Sequence, residues 1–397
     1  MPVPVWEGVL REELGTGGLW IRDARGPGLA ELRPYGSRVT PGFPVYPDLE
    51  RRLLKAAEHP DLAVAHVLAT CAAYSYSGAE TVSMIMARMG LDENHCRMIA
   101  SSVDGMFIRS TAFLIQSKTG KVAILCYRGT EPMNFINWMT DADVEPERMA
   151  YGFGDPCATV HAGFYRNVRA TRYQVMWALK RACAGRSVRV PLPAETDGIG
   201  GPSMDRLEAL YVTGHSLGGA MAAMMGVMLR HERKFSEKGD DVAGLLRAVY
   251  TFGQPMIGDY AFARACEKEP FLRENVVRYV YDSDVVPHLP PRTAGPFRHF
   301  GREWRYEIPN LRNSVLGLVR FLGCAHSSRD GNWVEQTRAA VQTPTALGGV
   351  GLGALAFLNS KIQPLRSFPA MYSFEDHRPH HYITALTPYG MSNEFGD

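Results

Sequence analysis

The chain has 397 residues, 46% hydrophobic and 21% charged, an ordinary globular balance that excludes collagen-like, coiled-coil and wholly disordered proteins. Lys and Arg number 43 against 41 Asp and Glu, a formal net charge of +2, too neutral for a protein whose main partner is nucleic acid. At roughly 150 residues per domain the length allows one large domain or a few small ones.

Residues 1–60 are dense in Pro and Gly (Gly26, Pro27, Gly28, Pro34, Gly36, Pro41, Gly42) and predict an irregular arm wrapped on the surface. Residues 1–10, MPVPVWEGVL, have no basic region and only a broken apolar run, so no secretory signal is expected in them. Between residues 60 and 89 apolar positions recur at steps of three to four, which predicts two helices. Residues 106–116 and 122–127 are β-rich and flank Ser117-Lys118-Thr119-Gly120, a turn signal that predicts a hairpin. Phe164, Val168, Thr171, Val175 and Leu179 then mark one face of a helix, with Arg166, Arg169 and Lys180 on the other.

After a Pro/Gly stretch at 191–202, residues 207–213 predict a buried strand and 220–229 a helix apolar around most of its circumference. Strands are expected at 247–252, 276–281 and 304–308, and a helix at 260–267. Strands alternating with helices predict an α/β fold with a mostly parallel central sheet covered on both faces. Residues 209–229 hold no Lys, Arg, Asp or Glu over the length of a membrane span, but the Gly-rich middle is turn chemistry, so no transmembrane segment is expected. Between 310 and 374 the order fails: 315–322 is apolar, 327–336 polar and 346–358 apolar again, which reads as an insertion in a single domain over 61–397. Seven cysteines (Cys71, Cys96, Cys126, Cys157, Cys183, Cys266 and Cys324) lie singly, with no C-x-x-C pair, which predicts a reducing, cytoplasmic setting.

Gly214-His215-Ser216-Leu217-Gly218 is a G-x-S-x-G pentapeptide placed between a predicted strand and a predicted buried helix, the context of a nucleophile elbow. The helix N-terminus offers unpaired N–H groups and a positive dipole end where an oxyanion develops, with the Leu217 N–H as the natural first donor. A serine nucleophile needs a base, and the base an orienting carboxylate, in the chain order Ser, Asp or Glu, His. Asp284 follows the strand at 276–281 and fits the carboxylate role, with Asp282 as its rival, whereas Asp259 opens a helix and reads as an N-cap. His288, His299, His326, His377, His380 and His381 are the candidate bases, and Glu375-Asp376-His377-Arg378-Pro379-His380-His381-Tyr382 precedes a terminal apolar-periodic run. The same cluster admits a metal reading through His377, His380, His381 and Asp376, without a second Cys/His group to support it. A second oxyanion donor is expected from the loop after strand 122–127, where Arg128-Gly129-Thr130 lies.

These residues resemble the class 3 lipases, the fungal-type group within the α/β-hydrolase fold. The resemblance rests on Tyr127-Arg128-Gly129-Thr130, Asn137-Trp138-Met139-Thr140-Asp141, Val160-His161-Ala162-Gly163-Phe164, Gly214 to Ala220, Thr251-Phe252-Gly253-Gln254-Pro255, Asp284 to Pro290 and Asp376-His377, in that order. It implies Ser216 as nucleophile, Asp284 as orienter and His377 as base, with Thr130 and Leu217 forming the oxyanion hole. It further implies a small amphipathic lid over residues 131–140, with Met133, Phe135, Ile136, Trp138 and Met139 as its apolar side, although core packing explains such a stripe equally. The chain departs from compact fungal members in the long interval from Asp284 to His377. The expected activity is hydrolysis of lipid esters through an acyl-enzyme, without a cofactor, at a membrane or droplet surface. A phospholipase A1, a soluble carboxylesterase and an inactive binding module of the same fold are the alternatives.

Overall fold

The computed structural model describes residues 45–56, 59–103, 108–130, 146–149, 156–189, 203–232, 242–290, 296–307, 331–337, 375–389 and 391. The chain enters through helices α1 (Leu49–Lys55), α2 (Leu62–Tyr74) and α3 (Ala79–Met89). Strands β1 (His95–Val103), β2 (Ile108–Gln116), β3 (Val122–Tyr127), β4 (Pro146–Arg148) and β5 (Thr159–His161) follow, then helix α4 (Ala162–Cys183). Next come β6 (Ala209–His215), α5 (Leu217–Glu232), β7 (Leu246–Phe252), β8 (Gly258–Asp259), α6 (Tyr260–Lys268) and α7 (Pro270–Asn275). The remaining elements are β9 (Val276–Tyr281), β10 (Phe297–Arg298), β11 (Arg302–Glu307), β12 (Asn332–Glu335) and α8 (Pro379–Leu386).

The main sheet has eight strands in the order β1-β2-β3-β6-β7-β9-β11-β12. Strands β3, β6, β7, β9 and β11 run parallel, and β1, β2 and β12 flank them antiparallel. The sequence VAILCY of β3 is buried at every position, because its two faces serve two cores. Ala123, Leu125 and Tyr127 join α4, α5, α6 and α7 on one side, while Val122, Ile124 and Cys126 join α1, α2, α3 and α8 on the other. That period of two, apolar on both faces, is what a central strand of an α/β sheet requires. The α/β architecture read from the sequence, a mostly parallel central sheet covered by helices on both faces, is therefore the one observed. Within it the predicted hairpin forms, with Gln116 opposite Ala123, and the predicted face of α4 (Phe164, Val168, Thr171, Val175, Leu179) is buried.

Several elements were not expected from the sequence, among them the short strands β4, β5, β8 and β10 and helix α7, and three are instructive. Helix α1 lies in the stretch read as an irregular arm; its Leu49 and Leu53 are fully buried, so seven residues with one apolar edge dock between prolines. Strand β1, HCRMIASSV, is an edge strand with only Ile99 well buried, too polar to announce itself as a strand. Strand β12, four residues of the polar stretch inside the 310–374 interval, adds a final strand to the sheet, Tyr306 pairing with Trp333. Residues 310–330 and 338–374, the 191–202 stretch and residues 1–44 lie outside the described residues, as does the expected lid at 131–140 with Met133, Phe135, Ile136, Trp138 and Met139. Among the described residues no helix is long and apolar enough to cross a membrane.

Candidate active site

Ser216 sits between the last residue of β6 and the first of α5, at φ +60. A non-glycine residue in the left-handed region stores about 1–3 kcal/mol of strain unless its surroundings hold it there. Here the Ser216 N–H donates to the Phe252 carbonyl at the end of β7 (2.9 Å), and its carbonyl accepts from Ala220 in the first turn of α5 (3.2 Å). The turn is tight enough to forbid side chains on both sides of the serine. A Cβ on Gly214 would lie 2.2 Å from the Gly218 carbonyl oxygen, and a Cβ on Gly218 would lie 2.2 Å from the Tyr127 carbonyl oxygen and 2.9 Å from the Gly129 nitrogen. The second contact draws the loop after β3, and with it Thr130, up to the helix N-terminus that starts at Leu217. The Ser216 side chain is buried, and its Oγ has no hydrogen-bond partner among the described residues.

Asp284 lies three residues past β9, at the same end of the parallel strands as Ser216. His377 ends the short 3-10 turn Glu375–His377, just before α8. The structure brings the two together: His377 Nδ1 donates to Asp284 Oδ2 at 2.8 Å and approaches Oδ1 at 3.1 Å, with both side chains fully buried. That bond places the proton of the neutral ring on Nδ1 and leaves Nε2 as its basic nitrogen. The carboxylate is otherwise saturated. The Val286 N–H donates to Oδ1 (2.9 Å) and the Tyr382 hydroxyl to Oδ2 (2.5 Å), while the Tyr281 N–H donates in turn to the Tyr382 oxygen (3.1 Å). Burial by itself pushes the Asp284 carboxyl up, but His377, Tyr382 and the Val286 N–H outweigh it and hold the group below the usual carboxylate value. Burial and the Asp284 charge push the Tyr382 phenol well above its ordinary value, so it stays a donor.

His215, the residue before the serine, lies beneath His377, their ring centroids 4.5 Å apart. Its Nε2–H donates to the His377 carbonyl (2.8 Å), and its Nδ1 accepts from the Tyr76 hydroxyl (3.0 Å). Burial and the neighbouring His377 lower the His215 pKa to about 3, so it is a neutral spacer that fixes the backbone of the second histidine. Gly253, at φ +58, lies against the pair from the other side; a Cβ there would come within 2.8 Å of both Asp284 Oδ2 and His377 Nδ1.

The open alternatives separate by contact. Asp282, at φ +32, accepts from the Ser283 hydroxyl at 3.4 Å, and only its backbone carbonyl accepts from Arg305. Asp259 caps α6, accepting from the Phe262 N–H at 2.7 Å, as its sequence position implied. His381 stacks on Tyr281 (5.0 Å, 17°) and on His380 (4.0 Å), and His299 Nε2 donates to the Pro287 carbonyl. Among the described residues no group of three or more His, Cys, Asp or Glu is placed to hold a metal ion. His326 lies outside the described residues. Sequence reasoning missed Tyr76 and Tyr382. Tyr382 stood in an apolar-periodic run and read as core, and only its place five residues after His377 hinted at more.

Residues 124–294 match the profile of the family described as Lipase (class 3). The chain is 28% identical over 213 residues to the triacylglycerol lipase OBL1 of Ricinus communis, a match covering 48% of this chain and 39% of that protein. It is 39% identical over 215 residues to a lipase of Rhizopus niveus, covering 52% of this chain and 44% of the relative. The matches thus span less than half the length of either relative. Among solved structures, the Rhizomucor miehei lipase propeptide complex aligns with a TM-score of 0.47 at 20% identity, over 81% of each chain. The motifs quoted from the sequence and the profile match agree: residues 124–294 are similar to the class 3 lipase family.

Proposed function

We propose that the protein is a serine hydrolase of lipid carboxylic esters, acting on acylglycerols presented at a membrane or droplet surface. The observation that carries this reading is Ser216 at φ +60 on a strand-to-helix elbow, preceded by His215, whose ring packs 4.5 Å from that of His377, a histidine whose Nδ1 lies 2.8 Å from a buried carboxylate. The names of the two relatives, lipase and triacylglycerol lipase, support the substrate class.

In this reading Ser216 Oγ attacks the ester carbonyl carbon while His377 Nε2 takes the hydroxyl proton. The N–H groups of Leu217 and Thr130, with the Thr130 hydroxyl, receive the negative charge that moves onto the carbonyl oxygen. The positive end of α5 adds to that field. When the intermediate collapses, the C–O bond to the alcohol breaks and His377 returns its proton to the leaving oxygen. Water then attacks the acyl-enzyme with His377 again as base; the bond from the acyl carbon to Ser216 Oγ breaks, His377 returns the proton to that oxygen, and the carboxylic acid leaves. Asp284 holds the imidazole in the Nδ1–H tautomer and stabilises its charged form.

The test is a series of p-nitrophenyl and glycerol esters of rising chain length, measured with and without a dispersed lipid surface. Pre-steady-state release of one p-nitrophenol per chain, and a gain in rate on long-chain esters at the surface, are expected. Absence of turnover on every ester contradicts the hydrolase reading; equal rates on acetate esters with no gain at the surface contradict the lipid assignment.

A further inference from the structure

Trp333 lies in β12, inside the long interval between Asp284 and His377, yet it touches the element that carries Tyr382. Its indole Nε1–H donates to the Ala385 carbonyl at 3.0 Å. Ala385 is in the last turn of α8, where carbonyls have no partner within the helix. The neighbouring carbonyls of that turn are taken by Thr387, whose hydroxyl donates to Ile383 and whose N–H donates to Thr384. The helix end is therefore closed partly by its own chain and partly by a side chain from a distant strand.

The same indole packs edge-on against Tyr279 (4.8 Å, 82°), tilts against Tyr306 (5.2 Å) and lies nearly parallel to Tyr382 (6.5 Å, 27°). Its strand is well anchored: Arg302 forks onto Glu335 through two bonds (2.6 and 2.9 Å), and the Gly331 N–H donates to the Tyr306 hydroxyl (2.8 Å). A short helix such as α8 has little stability of its own, so its placement depends on these side contacts. What hangs from it is the phenol that donates to Asp284.

We propose that Trp333 is a positioning residue for Asp284: by capping α8 and bracing the Tyr382 ring, it holds the phenol on the carboxylate that orients His377. The proposal rests on the hydrolase reading above. It makes part of the interval between the two acid–base residues a component of the site, acting through Tyr382 and touching no reacting atom.

The experiment is a double-mutant cycle on the full chain with p-nitrophenyl butyrate. Trp333→Phe keeps a ring and loses the N–H; Trp333→Leu loses both; Val334→Ala on the same strand, at an exposed position, is the control. Trp333→Phe is expected to lower kcat about fivefold with KM within about twofold, and to move the acid limb of the pH–rate profile in the same direction as Tyr382→Phe. In the Tyr382→Phe background the same change is expected to alter kcat by less than about 1.5-fold. Effects that multiply across the two positions, or a Trp333→Phe protein with a lower melting temperature and wild-type kcat and pH profile, overturn it. A second readout is independent of turnover. The downfield proton resonance of the His377–Asp284 bond is expected to shift in Trp333→Phe and Trp333→Leu but not in Val334→Ala. An unmoved resonance overturns the proposal even if the chain hydrolyses esters. A wild-type chain without turnover overturns the hydrolase reading alone, and the resonance then decides on Trp333.

Discussion

The two ends of the Ser216–His377–Asp284 line are built on opposite principles. At the acid end every lone pair has a partner: Asp284 accepts from His377, Tyr382 and Val286, and Tyr382 is itself held by Tyr281. At the nucleophile end Ser216 is strained at φ +60, and its buried Oγ has no partner among the described residues. The contrast teaches that, of these groups, the left-handed backbone and the unpaired side-chain oxygen both fall on the serine, while the carboxylate that orients His377 is over-determined. A site arranged this way spends stability in one place and recovers it next door.

The largest test of that contrast is at Ser216. Ser216→Gly is expected to abolish ester turnover while leaving the protein at least as stable as wild type, with a gain of up to about 1 kcal/mol as the strain and the unmet hydroxyl disappear. A thermal denaturation curve shifted several degrees downward contradicts the strain account. Asp284→Asn is the opposite case: activity falls by about a thousandfold to ten-thousandfold, and chemical denaturation loses roughly 2–3 kcal/mol, because His377 and Tyr382 are left around a group that accepts less well. Gly218→Ala presses a methyl group on the Tyr127 carbonyl and is expected to cost roughly 3 kcal/mol. It lowers kcat more than it raises KM, since the displaced loop carries Thr130.

Tyr382→Phe is a smaller change at the saturated end. Removing one donor leaves the Asp284 carboxylate a stronger acceptor for the charged imidazolium. Steady-state rates across pH then show kcat reduced about tenfold and an acid limb moved to higher pH by about half a unit. An unmoved acid limb contradicts the role assigned to the phenol.

The gentlest test is pH alone. Burial, the leading cause in each case, lowers the pKa of His59, His288 and His381 to about 4 and of His66 and His215 to about 3. The unfolded chain takes up protons on these rings near pH 6.5, and the folded chain does so only near pH 3–4. Stability therefore falls as pH drops through that window and is complete above it, the sign expected wherever the unfolded state binds more protons. Melting temperatures flat from pH 7 to 4 contradict the burial of these rings in neutral form.

Much of this was legible in the sequence because the physics there is local. The elbow needs glycine on both sides of the serine, and VAILCY and VVRYVY, buried throughout, can only be strands between two layers. Asp259 announced itself as a cap. The choice of Asp284 over Asp282, two residues apart, rested on resemblance, because chain order alone gives no direction in space. What stayed hidden depends on long-range contact. Asn332–Glu335 becomes a strand only by pairing with β11, His95–Val103 is an edge strand with an exposed polar face, and Tyr382 looks like core until Asp284 comes to meet it. Trp333 is the extreme case: nothing in its neighbourhood in the chain ties it to His377, 44 positions later.

The central claim is that Ser216 is the nucleophile of an ester hydrolase, and its most direct measurement is covalent. The purified chain is treated with a fluorophosphonate, digested and mapped by mass spectrometry, beside Ser216→Ala. One adduct per chain is predicted, on the peptide containing Ser216, with loss of ester turnover in step with labelling and no adduct in the variant. Labelling of another residue, or equal labelling of Ser216→Ala, contradicts the account.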